Sequence, residues 1–239
     1  MTRHPLEEVA YPPFAGFPPE GLSFLRRLKR NNNRVWFQKH KADYEELVRF
    51  PMECLIASLR PRMAEVAGDF DFQPRKSIFR VYRDTRFSND KTPYKTNIAA
   101  SFEPRGLRDP TGTAGLYVGV ELGEIFVGGG IYMPSGEQLK SIRASIDARP
   151  DELREVIAQP SFVKVFGGIL GERLQKAPLG YPKDHPMIEH LRLKQFYVGV
   201  EYDEKECLKP RFLDNVARVF TAAMPFIRWL QRATPTGAR

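Results

Sequence analysis

The residues best equipped for chemistry lie together between Arg75 and Lys95, in the run RKSIFRVYRDTRFSNDKTPYK. Seven cations (Arg75, Lys76, Arg80, Arg83, Arg86, Lys91 and Lys95) stand there against two carboxylates, Asp84 and Asp90. This segment therefore carries +5 of the chain's net +8. Arg80, Arg83 and Arg86 can clamp an anion, the guanidinium fork matching phosphate or carboxylate oxygens. Lys91 and Lys95 add point charges, and Tyr94 and Asn97 add neutral hydrogen bonds. That inventory suits an oxyanion pocket, with Asp84 fixing the arginine fork and, in an enzyme, Asp84 or Asp90 serving as general base. Charge density alone proves little, since two exposed like charges about 10 Å apart in water cost only about 0.4 kcal/mol. An ion-pair network bracing a loop accounts for the same residues and stands beside the pocket on nearly equal terms.

Weaker candidates lie elsewhere. Gly128, Gly129 and Gly130 precede a helix start at Ser135, so Gly129 and Gly130 could form a second wall of the pocket, where backbone approaches a ligand closely. GGGIYMPSGE lacks both the Lys-Ser/Thr end of a phosphate loop and the GxGxxG spacing, and a bulge or a crowded sheet crossing is the commoner use of such glycines. Tyr181, Asp184 and His185 share a loop in which a carboxylate could hold the imidazole for proton transfer, and Tyr181 is a candidate ligand-binding residue. Capping of a short helix begun by Pro186 is the plainer reading. His4, His40 and His190 are scattered, and Cys54 and Cys207 are far apart. No metal site or disulfide framework is expected, and no cofactor. Neither a GxSxG elbow nor a Cys–His pair in its usual context is present, so catalysis would have to rest on Asp84, Asp90 or His185.

The elements that must position these groups show in the periodicity. Residues 18–67 read as helices: Leu22, Leu25 and Leu28 form a first stripe, and the run Asn31–Asn33 stops one helix and caps the next. From Ser77 the period becomes two, and SIFRVYR, TNIAASFE, AGLYVGVELG and EIFVGGGIYM read as successive antiparallel strands, the last two joined by a tight turn at Leu122-Gly123-Glu124. On the first strand Arg80 falls between Ile78 and Tyr82, and a guanidinium shielded there needs an acceptor. Ser135 with Gln138 makes a capping box, a short helix follows Pro150, LKQFYVGVEY is a fifth strand, and residues 208–230 form a closing amphipathic helix. The expected fold class is α+β, an antiparallel sheet of about five strands flanked by N-terminal and C-terminal helices. The chain divides into an arm (1–16), one domain (17–232) and a tail (233–239).

At 239 residues, 42% apolar and 28% charged, the chain is long enough to bury a core and unlike a disordered or fibrous sequence. The charged and proline-bearing N-terminus lacks the apolar run of a signal peptide, and no segment approaches the roughly 20 apolar residues of a membrane span. A cytoplasmic location and no membrane partner are expected.

The basic segment also carries a resemblance. FRVYRDTRFSNDKTPYKTN, at Phe79–Asn97, resembles the signature of a bacterial family of conserved hypothetical proteins, domain of unknown function 2461. GGGIYMP at Gly128–Pro134, GYPKDHP at Gly180–Pro186 and LKQFYVG at Leu193–Gly199 support it, and the similarity runs from Phe17 to Leu230. The resemblance implies one common cytoplasmic domain and supplies no reaction.

The leading expectation is a cationic pocket for a phosphate- or carboxylate-bearing small molecule, with Tyr82, Phe79, Phe87 and Tyr94 interleaved among the charges. The alternatives are a nucleic-acid-binding module, in which Tyr82 or Tyr94 stacks a base, and a structural or partner-binding protein whose arginines are paired internally.

Overall fold

Pro19 opens the first helix because its fixed φ suits a first turn and its missing N–H would find no helical partner there. Helix α1 (Pro19–Arg30) buries Leu22, Phe24, Leu25 and Leu28. After it, the Asn33 side chain accepts from the Trp36 amide at 2.9 Å and starts α2 (Arg34–Lys39), as the asparagine run predicts. Helix α3 (Lys41–Tyr44) passes through a π-helical turn, Glu45–Arg49, into α4 (Phe50–Arg62). The widened turn lies just ahead of Pro51, which has no N–H for the Leu47 carbonyl and whose ring crowds it. Short helices α5 (Ala64–Ala67) and α6 (Pro74–Ser77) complete this half. These elements come from a computed structural model that describes residues 10–86, 88–106 and 112–234. His4 and Phe87, both singled out above, lie outside the described residues. Part of the segment read as an arm is docked: Phe14 is buried against Phe17 and Phe212, and its amide donates to Ser58 Oγ at 3.0 Å.

Three strands follow, β1 (Asn97–Phe102), β2 (Gly115–Glu121) and β3 (Glu124–Ile131), with Leu122-Gly123 turning between the last two and Gly123 at φ +93°. Helix α7 (Gly136–Ala148) begins on the expected capping box: the Ser135 amide donates to Gln138 Oε1 at 2.8 Å and the Gln138 amide to Ser135 Oγ at 3.2 Å. Then come α8 (Pro150–Ile157), α9 (Pro160–Phe166), α10 (Ile188–Leu191), β4 (Phe196–Asp203), a 3₁₀ turn at Glu204–Leu208, and the long α11 (Phe212–Ala233). The fold is thus α+β, with a four-stranded antiparallel sheet in the order β1-β2-β3-β4 flanked by helices.

The expected first strand, SIFRVYR, differs in detail. Ser77 closes α6, and the segment beyond it touches the sheet edge through two isolated bridges, Ile78 with Ala100 and Tyr82 with Tyr94. Between those bridges the three residues Phe79–Val81 face the five residues Lys95–Ala99, so a regular ladder cannot continue. We call residues 78–96 the basic ribbon. At this edge Arg80 is exposed rather than sandwiched, and the acceptor that burial would have demanded is not required.

The two faces of the sheet are finished differently. Helix α11 lies across one, burying Phe220, Phe226, Ile227 and Leu230 over Val118, Val127 and Phe102. Gly129 permits that approach, since a Cβ there would lie 2.6 Å from Ile227 Cδ1. On the other face, aromatic rings lie over glycines: Tyr117 over Gly119, and Phe126 over Gly199 and Gly128. Rings and glycines thus cover for one another without a second layer. Among the described residues no helix is long and apolar enough to cross a membrane.

Candidate functional site

An asparagine ties the ribbon's backbone to the helical half. Asn32, in the short link between α1 and α2, accepts from the Tyr94 amide at 3.0 Å and donates to the Tyr94 carbonyl at 2.9 Å. The Tyr94 ring stacks on Phe37 of α2 at 4.0 Å and 20° and is buried. Around this anchor the ribbon closes on itself, Arg83 N–H donating to the Pro93 carbonyl at 2.9 Å and Lys95 N–H to the Val81 carbonyl at 2.7 Å. Its tip is tied by polar side chains. Arg83 Nη1 donates to Asp90 Oδ2 and Thr92 Oγ1, the Thr92 amide donates to Asp90 Oδ1 at 2.9 Å, and Lys91 Nζ donates to the Thr85 carbonyl at 2.9 Å. Polar residues with little apolar surface can shape a loop only this way, by satisfying its backbone groups locally.

Between α2 and this ribbon opens a cleft of about 450 Å³. Arg34 and Gln38, one helical turn apart, form its helical wall, and Tyr82, Arg83, Thr85, Lys91, Pro93 and Tyr94 form the ribbon wall. Three cations therefore border it, and among the described residues only Arg83 is ion-paired, to Asp90. Arg83, and after it the Thr92 amide and hydroxyl, hold the Asp90 carboxyl at about 2, so it is ionised at neutral pH. Tyr94 is pushed above its ordinary range chiefly by burial and secondarily by Tyr82, against the pull of Arg34 and a hydrogen bond with Gln38. The phenol stays neutral and can only share a proton, whereas the guanidinium groups are fully charged.

A second, smaller cleft of about 200 Å³ lies on the other side of the ribbon, lined by Phe79, Lys95, Asn97, Ala99 and Tyr117. Lys95 Nζ sits 5.2 Å over the Phe79 ring, and its pKa is lowered first by burial and then by Arg80. The division follows from the pleat: Tyr94 and Lys95 are adjacent on extended backbone and must face opposite ways. Of the residues read as one pocket, Arg83, Lys91 and Tyr94 therefore meet in the large cleft, and Lys95 and Asn97 in the small one. Arg80 and Arg86 line neither cleft. Arg86 is instead forked onto Asp84, with Nε and Nη2 at 3.0 and 2.7 Å, which holds that carboxyl at about 2.

Gly129 and Gly130 are remote from this edge. Gly129 lies under Ile227, and Gly130, at φ +136°, presses on the Phe196 carbonyl of β4, where a Cβ would come within 2.2 Å. Tyr181 and His185 are also elsewhere, beside α7. His185 Nε2 donates to Asp147 Oδ1 at 3.1 Å while Nδ1 accepts from the Met187 amide at 3.0 Å. Both ring nitrogens are occupied, but His185 does not cap a helix begun by Pro186: α10 starts at Ile188 with no side-chain cap, and the carboxylate is Asp147 rather than Asp184. Sequence reasoning missed Arg34, Gln38 and Thr85. Arg34 and Gln38 sit in a segment that reads as packing, and the only hint was their shared helical face, which does not say what it faces.

Among the described residues no cluster of His, Cys, Asp or Glu could hold a metal ion. Cys54 and Cys207 are buried free thiols, Cys207 pushed up to about 12 by burial and then Glu204. The family model described as conserved hypothetical protein (DUF2461) matches residues 20–229. No curated protein matches the chain.

Proposed function

The chain belongs to the conserved hypothetical protein (DUF2461) family, a membership that brings no reaction with it, and from the geometry alone we propose that it binds a phosphate- or carboxylate-bearing small molecule in the cleft between α2 and the basic ribbon. The observation that carries this reading is the meeting of cations from two separate elements on one open space: Arg34 from a helix, Arg83 and Lys91 from the ribbon. An ion-pair network built only to brace a loop would draw its acids and bases from that loop, as Arg86 and Asp84 do. Among the described residues Arg34 forms no ion pair of that kind.

Arg83 is pre-positioned because Asp90 and Thr92 fix its Nη1, leaving the rest of the guanidinium to meet a ligand oxygen at little entropic cost. Arg34 supplies a second fork, Lys91 a point charge, and the Thr85 hydroxyl a neutral hydrogen bond. The role we propose is binding, since Asp90 is committed to Arg83 and the Thr92 amide, and Asp84, which lines neither cleft, is committed to Arg86. Two buried free thiols suit a reducing cytoplasm.

Calorimetric titration with pyrophosphate tests the reading. Wild type is expected to bind, and Arg34→Ala to weaken binding about tenfold, the loss of one charged hydrogen bond worth about 1.5 kcal/mol. Equal heats from the two proteins, or none from either, would end it.

A further inference from the structure

The anion reading leaves the aromatic side of the cleft without a role. Tyr82 is 49% exposed although it sits 5.5 Å from Tyr94, which itself stacks on buried Phe37 at 4.0 Å. The three rings run outward from the core: Phe37 and Tyr94 are buried, and Tyr82 is open toward the cleft. A half-exposed ring steadied by a fixed aromatic neighbour, here tilted to it by 42°, offers apolar surface that a flat partner can cover.

What surrounds Tyr82 narrows the partner. Gln38 reaches the cleft from α2, and beyond its hydrogen bond with Tyr94 its amide keeps a further donor and acceptor, which suits the edge of a heterocycle. Pro93 adds an apolar wall. Arg34, Arg83 and Lys91 together with the paired Asp90 leave a local charge of +2, opposite to the charge of about −2 on an ionised phosphomonoester. The volume, about 450 Å³, lies within the range of small-molecule sites.

We propose that the ligand of this cleft is a free nucleotide, its base stacked on Tyr82 and its phosphate held among Arg34, Arg83 and Lys91. The proposal rests on the anion-cleft reading and adds the ring to it. A polynucleotide fits less well, because its phosphates require cations repeated along a track. Here the ribbon's other cations stand outside the cleft: Lys95 lines the opposite cleft with Arg80 near it, and Arg86 is forked onto Asp84.

The test is equilibrium binding of adenosine 5′-monophosphate, pyrophosphate and a thymidine oligonucleotide of about ten residues, a length within the reach of single-strand sites, to the full chain and three variants. Wild type is expected to bind adenosine 5′-monophosphate. Tyr82→Ala should weaken it about tenfold, the loss of one base–aromatic stack, and leave pyrophosphate affinity unchanged. Tyr82→Phe should retain nucleotide binding, which separates loss of the ring from damage to the ribbon, and Arg34→Ala should weaken both ligands. Pyrophosphate binding as tightly as the nucleotide, with Tyr82→Ala indistinguishable from wild type, overturns the nucleotide and leaves the anion cleft standing. An oligonucleotide that binds well above the mononucleotide overturns it in favour of a strand. Failure of both small ligands removes the cleft reading itself.

Discussion

The sheet interior and the basic ribbon adjoin at β1 and are held by opposite means. Between β2 and β4, position is fixed by exclusion: Gly129 and Gly130 admit Ile227 and the β4 backbone so closely that no other side chain fits. In the ribbon, position is fixed by polar ties: Asn32 to the Tyr94 backbone, Arg83 to Asp90 and Thr92, Lys91 to the Thr85 carbonyl. The first arrangement is stiff and has no space to offer. The second can surround an open cleft, because a hydrogen-bonded loop does not need its volume filled. The candidate site therefore falls where the core ends rather than where the packing is best. The sharpest way to break the contrast is Gly130→Ala, whose Cβ would meet the Phe196 carbonyl at 2.2 Å on backbone at φ +136°. Steric overlap and backbone strain together should cost about 3 kcal/mol or more, on the order of 10 °C in Tm for a domain of this size. A melting temperature within a degree or two of wild type would show that the interior yields and that the contrast is drawn too hard.

Asn32→Ala probes the other side of the comparison. It removes an acceptor from the Tyr94 amide and a donor from its carbonyl in one step, both of them part-buried, and should cost about 2 kcal/mol. Unlike the glycine change, it should also lower pyrophosphate affinity, because the same two bonds hold the ribbon against α2. Calorimetry and melting on one preparation separate the outcomes. A loss of stability with unaltered binding would mean that the ribbon keeps its place without Asn32.

Arg34→Ala should do the reverse, weakening pyrophosphate about tenfold while leaving Tm unchanged, since the side chain makes no ion pair with any described residue. The pH profile sharpens this. A phosphomonoester gains its second charge near pH 6, whereas Asp90 at about 2 is already ionised there. Nucleotide affinity should therefore rise several-fold between pH 5 and pH 7, and a flat profile would mean that the second phosphate charge is not being read.

How much of this is legible in the sequence differs between the same two regions. The interior declares itself through local rules: Asn33 and Ser135 cap their helices as their side chains dictate, Gly123 turns the hairpin, and the alternation of β2 and β3 assigns their buried face. The basic ribbon announces its composition but not its geometry. Period-two reasoning extends a strand through SIFRVYR, and only the mismatch between Phe79–Val81 and Lys95–Ala99 breaks it. Alternation applied to Tyr94 and Lys95 would have parted them into separate clefts. Applied to Arg80, it implied burial, because an edge position cannot be told from a central one in a single strand. Arg34 and Gln38 were out of reach, since they join the site through long-range contacts of their helix with Tyr94, among them the Asn32 tie and the Phe37 stack.

The smallest expected effect lies in acid, where the two regions should titrate in opposite directions. Asp84 and Asp90, exposed and paired with Arg86 and Arg83, are each held at about 2, below the ordinary 3.8. A carboxyl depressed in the folded state adds stability that is present above its unfolded value and lost as the pH falls through about 4 toward 2. Exposure keeps that contribution small. Glu103, at the sheet end of the ribbon's strand, is shifted upward instead, by burial first and then by Asp71, against a hydrogen bond from Ser101. Its contribution is fully present below the ordinary carboxyl range and is lost as the pH rises through its raised value. Carboxyl carbon shifts followed by NMR from pH 7 to pH 2 read each group separately: Glu103 should take up its proton first and the two aspartates last. If Asp90 titrated near 3.8, Arg83 would not be committed to it, and the charge facing a ligand in the cleft would be distributed differently from the +2 argued above.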